Sequence, residues 1–189
     1  MHIKKGLRML GVAESFRKVV GEKSVLAGVV MRADLIVDGF SFGFPTVGGM
    51  DATEELVRLY RSLGREDINV ICVSGSVISW FNVIDFPRTF EDIGVPTISI
   101  TYEESEGLEE HFKRNFPQDW EERIRVYKGN GPRQNVRLKT GYDVFVRGYG
   151  LSVDDVLKML DAFTLSGRFP EPVKTARLLA HALAQTLYV

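Results

Sequence analysis

Between Leu7 and Phe40 the chain holds three strand-like segments, and the last two have no room for a helix between them. Leu7 to Ala13 is apolar and ends at the polar pair Glu14-Ser15. Ser24 to Met31 is rich in valine and apolar on both faces, as a central strand is. Leu35 to Phe40 follows after only Arg32-Ala33-Asp34. A parallel crossover takes about a dozen residues or more, so these strands pair antiparallel.

The rhythm then changes. Gly48-Gly49 precedes Asp51-Ala52-Thr53-Glu54, an acidic helix start, and Leu56, Leu59, Tyr60 and Leu63 recur at helical spacing before Gly64. Ile68 to Val73 reads as a buried strand, Val83 to Ile93 as a helix, and Thr97 to Thr101 as another buried strand after Gly94-Val95-Pro96. Strand, helix and strand on short loops form a right-handed parallel unit. Further on, the pattern predicts helices over Leu108 to Asn115, Val153 to Ser166 and Val173 to Leu187, with a strand near Asp143 to Val146. Three antiparallel strands followed by parallel βαβ units, with helices on both faces of a mixed sheet, is the α/β pattern of ribonuclease H-like domains. No Gly-x-Gly-x-x-Gly follows the first strand and no phosphate-loop motif occurs, which argues against a nucleotide cradle.

Composition narrows the function classes. The 189 residues are 44% hydrophobic and 26% charged with a net charge of −1, a length and balance that fit one globular domain without a broad positive field. Tight non-specific nucleic-acid binding draws on many basic contacts, so any such role rests on a local patch. His111 to Arg147 offers one, with nine Lys and Arg against four Asp and Glu and with Phe112, Phe116, Trp120 and Tyr127 among them. Its plainer alternative is a solvated helix and hairpin with core aromatics. Cys72 is the sole cysteine and lies in an apolar run, so a buried thiol and no internal disulfide are expected. No secretory leader or apolar span is evident, which makes the cytoplasm the default expectation. His2, His111 and His181 show no metal-ligand spacing.

Five stretches carry a family resemblance: Gly11 to Ser15, Val37-Asp38-Gly39, Val47 to Thr53, Phe81 to Asp85, and Phe169 to Lys174. On these the chain resembles the endonuclease dU family, a largely archaeal group related to endonuclease V. The most specific piece, Arg168-Phe169-Pro170-Glu171-Pro172-Val173-Lys174-Thr175-Ala176, is similar to the segment that opens the last helix of endonuclease V. The resemblance implies a ribonuclease H-like fold and a Mg²⁺- or Mn²⁺-dependent endonuclease. It also implies a substrate of DNA with a deaminated, deoxyuridine-type base, with RNA as the alternative nucleic acid, no membrane, and a monomer or weak dimer.

Two-metal phosphodiester hydrolysis needs three or four carboxylates converging at one end of the sheet. Glu14, Asp38 and Asp51 are the candidate metal ligands and catalytic residues. Phe44-Pro45-Thr46 matches a strand-separating wedge, and Lys128, Arg133, Lys174 and Arg177 are the candidate nucleic-acid contacts. The resemblance places the first-strand aspartate of endonuclease V at Ala13, so Glu14 substitutes only if the strand ends or bulges there. Ser74 stands where that nuclease has its third ligand, an aspartate, and Arg177 where it has a fourth ligand or a proton-transfer residue. Asp51 has a second reading as a helix cap, Asp85 likewise, and Glu54 as a dipole complement. Two further functions stay open: a non-catalytic nucleic-acid binder using the basic region, and a protein-interaction module.

Overall fold

The structure, a computed structural model, describes residues 3–103 and 107–187. His2, Glu104 and Glu106 lie outside the described residues. Strands β1 (Arg8–Ser15), β2 (Val25–Arg32) and β3 (Val37–Gly43) form the antiparallel half that the short connections dictate. Helix α1 (Ala52–Ser62) leads to β4 (Val70–Val73), which pairs parallel with β1, and β7 (Thr97–Thr101) adds parallel to β4.

One expectation is corrected between them. The helix read from Val83 begins three residues later, because a small hairpin of β5 (Val77–Ile78) and β6 (Asn82–Val83) occupies its start. Asp85 then caps α2 (Phe86–Ile93) by accepting from Arg88 N, with a proline in the first turn. The basic region folds as α3 (Glu109–Asn115), α4 (Trp120–Gly129) and β8 (Gln134–Arg137). β9 (Asp143–Tyr149), α5 (Val153–Phe163) and α6 (Glu171–Leu187) complete the chain. The sheet order is β3-β2-β1-β4-β7-β9-β8, with β9 antiparallel to both neighbours.

Alternation along the central strands sorts the core into two layers. Leu10, Val12, Leu26, Val30, Ile71 and Val73 face α1 and α2, where Leu56 and Leu59 are fully buried. Met9, Val70, Cys72, Ile98 and Ile100 face α5 on the other side, and Ala13 with Val29 faces Ala176 of α6. Helix α6 lies unusually close to the sheet because Ala176, Ala180 and Ala184 are small. At Gly11 a Cβ would stand 2.3 Å from the Pro172 carbonyl carbon, so only glycine admits the helix there. Cys72 is fully buried, and burial pushes its thiol well above the ordinary range.

Candidate functional site

The strands β1, β4 and β7 all run toward one edge of the sheet, and the candidate residues group about that edge by face. β1 pairs in unbroken register through Ala13↔Ala27, Glu14↔Leu26 and Ser15↔Val25, so the strand neither ends nor bulges at Glu14. Ala13 therefore turns toward α6 and Glu14 toward the opposite face. There the Glu14 carboxylate accepts from Ser79 N at 2.6 Å and Ser79 Oγ at 2.8 Å. Burial raises the Glu14 pKa to about 7, against the lowering effect of those two bonds.

Ser79 belongs to an unusual loop. Ser79, Trp80 and Phe81 have φ of 45°, 55° and 69°, three consecutive non-glycine residues in the left-handed region. Such conformations persist only where surroundings over-determine them. Here the surroundings are Glu14, Ser24 and Arg123. Ser24 Oγ lies 2.6 Å from Ser79 Oγ and donates to the Pro45 carbonyl. Arg123, almost fully buried, donates to the carbonyls of Gly48, Gly49 and Phe81 and to both oxygens of Asp119. Its guanidinium also lies 3.9 Å from the Phe116 ring centre.

Asp51 sits at the start of α1 without capping it. Its carboxylate instead accepts four bonds, from Thr46 N, Thr46 Oγ1, Asn82 Nδ2 and Lys23 Nζ. Burial works against the Asp51 charge, and these bonds outweigh it and hold the pKa at about 2. The cap comes from Asn82, whose Oδ1 accepts from Ala52 N at 2.9 Å. Glu54 is turned away to an ion pair with Arg88.

Asp38 is not brought to this edge. It lies at the opposite end of the sheet, where its carboxylate accepts from Arg8 at 2.6 Å and Arg65 at 2.9 Å. Bonds from Arg8 and then Arg65 hold its pKa below the usual range. The reason is topological: β3 runs antiparallel to β2, which puts the first residues of β3 beside Arg8.

On the α6 face of the edge, Ser74 Oγ accepts from Arg177 Nη2 at 2.9 Å. Arg177 is exposed and lies 4.5 Å from the Phe169 ring centre. Lys174 is taken up in the turn that opens α6, donating to Glu171 and to the Ser166 carbonyl, each at 2.6 Å. Phe44 is exposed, while Pro45 is buried with its carbonyl bound to Ser24. Lys128 pairs with Glu109 at 3.7 Å, and Arg133 donates to Thr101 Oγ1 and the Glu103 carbonyl. Much of the basic charge between residues 111 and 147 is neutralised locally, by pairs such as Lys113–Glu110, Arg125–Glu122 and Arg137–Asp143. Phe112 and Tyr127 are core residues, as the plainer reading of that region has it.

These placements test the carboxylate cage directly, and the residues present do not fit it. Ala13 and Ser74 occupy the α6 face where acids would meet, Arg177 adds a cation, and Glu14 lies on the other face. Both oxygens of Asp51 are already committed to neighbours. Among the described residues no three His, Cys, Asp or Glu side chains gather as a ligand set.

The fold defines the class: an α/β protein with a mixed sheet in the ribonuclease H-like arrangement of endonuclease V. Human endonuclease V superposes with a TM-score of 0.66 at 14% identity, covering 97% of this chain and 86% of that one. Ciona intestinalis endonuclease V, solved in complex with a 24mer DNA containing an inosine followed by a ribo-adenosine, gives 0.64 at 15% identity, covering 97% and 87%. Nearer in sequence are an Archaeoglobus fulgidus protein of unknown function and a UPF0215 protein of Pyrobaculum calidifontis. The first has a TM-score of 0.81 at 27% identity over 94% of this chain and 98% of that one. The second is 35% identical over 94% of this chain and 97% of its own length. The endonuclease dU family model matches residues 5–184, and the chain belongs to that family.

Proposed function

We propose that this chain recognises DNA carrying a deaminated, deoxyuridine-type base at the carboxyl edge of its sheet, and that it holds the phosphodiester through Arg177 without a divalent metal. The observation that carries the reading is the Ser74–Arg177 pair. An exposed guanidinium, oriented by a hydroxyl and an aromatic face, stands where the family resemblance calls for carboxylates. Among the described residues no ion pair neutralises Arg177, so its remaining N–H groups are available to a phosphate, for which the planar fork is well shaped. Family membership supports nucleic acid as the ligand class. Mg²⁺- or Mn²⁺-dependent cleavage, which the resemblance implies, calls for acids at positions 13 and 74 and a ligand or proton-transfer group at 177, and Ala13, Ser74 and Arg177 supply none of these.

A second reading is endonucleolytic cleavage, and one observation favours it. Glu14, at a pKa of about 7, is poised to accept a proton from water near neutral pH, and the strained loop that holds it is costly to maintain. Water oxygen would bond to phosphorus as the phosphorus–oxygen bond to the leaving sugar breaks; Glu14 would take the water proton, and the leaving sugar oxygen would take a proton from solvent to become a hydroxyl. One experiment separates the readings. A labelled oligonucleotide with a single uracil is incubated with the protein in EDTA, and again with Mn²⁺. The expected result is binding that EDTA leaves unchanged and that Arg177→Ala weakens about ten-fold, with no nicking. Nicking abolished by Glu14→Gln would replace the first reading with the second, and absence of binding would remove both.

A further inference from the structure

A row of alternating guanidinium groups and aromatic rings leaves the Arg177 site and follows the sheet edge outward. Arg177 lies on Phe169, and Phe169 meets Tyr102 edge-on, with ring centres 5.8 Å apart and planes at 88°. Arg168 then lies between two rings, 5.4 Å from the centre of Tyr102 and 5.2 Å from that of Tyr142. The topology explains the alignment. Ser74 follows β4, Tyr102 follows β7 and Tyr142 precedes β9, and these three strands are neighbours in the sheet. The segment carrying Arg168 and Phe169 is fastened across the edge by Thr140 Oγ1, which donates to the Gly167 carbonyl at 2.8 Å.

Two properties set this row apart from the rest of the basic surface. Tyr102 and Tyr142 are each 44% exposed, although rings of that size ordinarily gain from burial. Among the described residues neither Arg168 nor Arg177 meets a carboxylate, while most other arginines of the sheet edge and of α4 do or are bound to carbonyls. Stacked arginines are held in place without being neutralised.

Exposed rings interleaved with charged guanidinium groups that no carboxylate neutralises match one ligand chemistry: a single strand of nucleic acid, with bases against the rings and phosphates against the arginines. A duplex hides its base faces and cannot use the rings. We infer that Tyr102, Tyr142 and Arg168 form a platform for single-stranded DNA continuous with the Arg177 site. This deepens the function proposed above and rests on it.

The test uses the full chain and a fluorescein-labelled dT12 oligonucleotide without uracil, read by anisotropy in EDTA at low salt. Tyr102→Ala and Tyr142→Ala are each expected to weaken binding about ten-fold, and Arg168→Ala to weaken it and flatten its salt dependence. Tyr142→Phe keeps the ring and should bind as the parent does, which separates stacking from the hydroxyl, and thermal midpoints of the alanine variants within a few degrees of the parent separate it from loss of fold. A blunt duplex of the same length should bind at least ten-fold more weakly than dT12. Equal binding by parent and both alanine variants would overturn the platform. If Arg177→Ala still weakened binding to the uracil oligonucleotide in that case, the proposed function would stand without it. Tighter binding of rU12 than dT12 would overturn the assignment to DNA.

Discussion

Replacing Arg123 with leucine isolates what its guanidinium does, because leucine keeps much of the apolar stem and removes every donor. Three carbonyls, those of Gly48, Gly49 and Phe81, each lose a bond of 2.8 Å. Asp119 loses both of its partners at 2.8 and 2.9 Å, although its partial exposure lets water replace them. A buried acceptor left unsatisfied loses roughly 1–3 kcal/mol, and breaking a buried charged pair roughly 3–5 kcal/mol. With Asp119 rehydrated and some water reaching the loops, the net loss should be about 3–5 kcal/mol. For a chain of this size each kcal/mol lowers Tm by roughly 2–4 °C, so the midpoint should fall by about 6–20 °C. Urea unfolding at pH 7 gives the free energy, and calorimetry gives the midpoint. Arg123→Lys should recover little, since an ammonium cannot span three carbonyls and a carboxylate in one plane. A leucine variant within about 1 kcal/mol of the parent would refute the idea that Arg123 joins the 44–51 and 79–82 loops.

Glu14 predicts a distinctive pH dependence. Its folded pKa of about 7 lies above the ordinary 4.5. The stability it contributes is therefore fully present below pH 4.5 and lost as pH rises through 7. Glu14→Gln should gain on the parent by up to about 3 kcal/mol between pH 4 and pH 8, read from urea midpoints, and a pH-independent difference would contradict it. Gly11→Ala drives a methyl into the Pro172–Val173 backbone, so α6 must shift, at roughly 1–3 kcal/mol or more; the same alanine tolerated within 0.5 kcal/mol would show that the helix is not seated there. Asp38→Asn should leave oligonucleotide binding unchanged within two-fold, because the residue lies at the far end of the sheet; a ten-fold loss would mean that the ligand spans both ends. The double variant Ala13→Asp with Ser74→Asp places two acids on the α6 face. It is expected to bind Mn²⁺ by calorimetry where the parent does not.

Much of the scaffold was legible because it rests on local rules. The three-residue connection at Arg32-Ala33-Asp34 forced antiparallel pairing, and the helical pattern of Val173 to Leu187 marked the final helix. The family resemblance, read on five stretches, holds over residues 5–184. The site was harder, for reasons that lie outside local sequence. Asp51 reads as an N-cap, yet the capping is done by Asn82 from 30 residues away. Arg123 looked like part of a solvated basic surface until α4 turned it inward. Nothing in Ser79-Trp80-Phe81 signals three positive φ angles, since no glycine is present. Asp38 was grouped with Glu14 by type, and only strand direction separates them. The face on which Glu14 lies hinged on whether β1 bulges, a question that the pairing register with β2 resolves.

The close seat of α6 on β1 bears on how the protein would respond to a ligand over time. Arg177 follows directly on Ala176, which packs against Ala13 and Val29, so this guanidinium is carried by a helix seated on the sheet rather than by a loop. A phosphate bound there would load the core itself. Amide exchange along Gly11 to Ala13, which lie buried in a central strand, would slow on binding, while the tyrosine row beyond it would respond on the faster timescale of surface side chains.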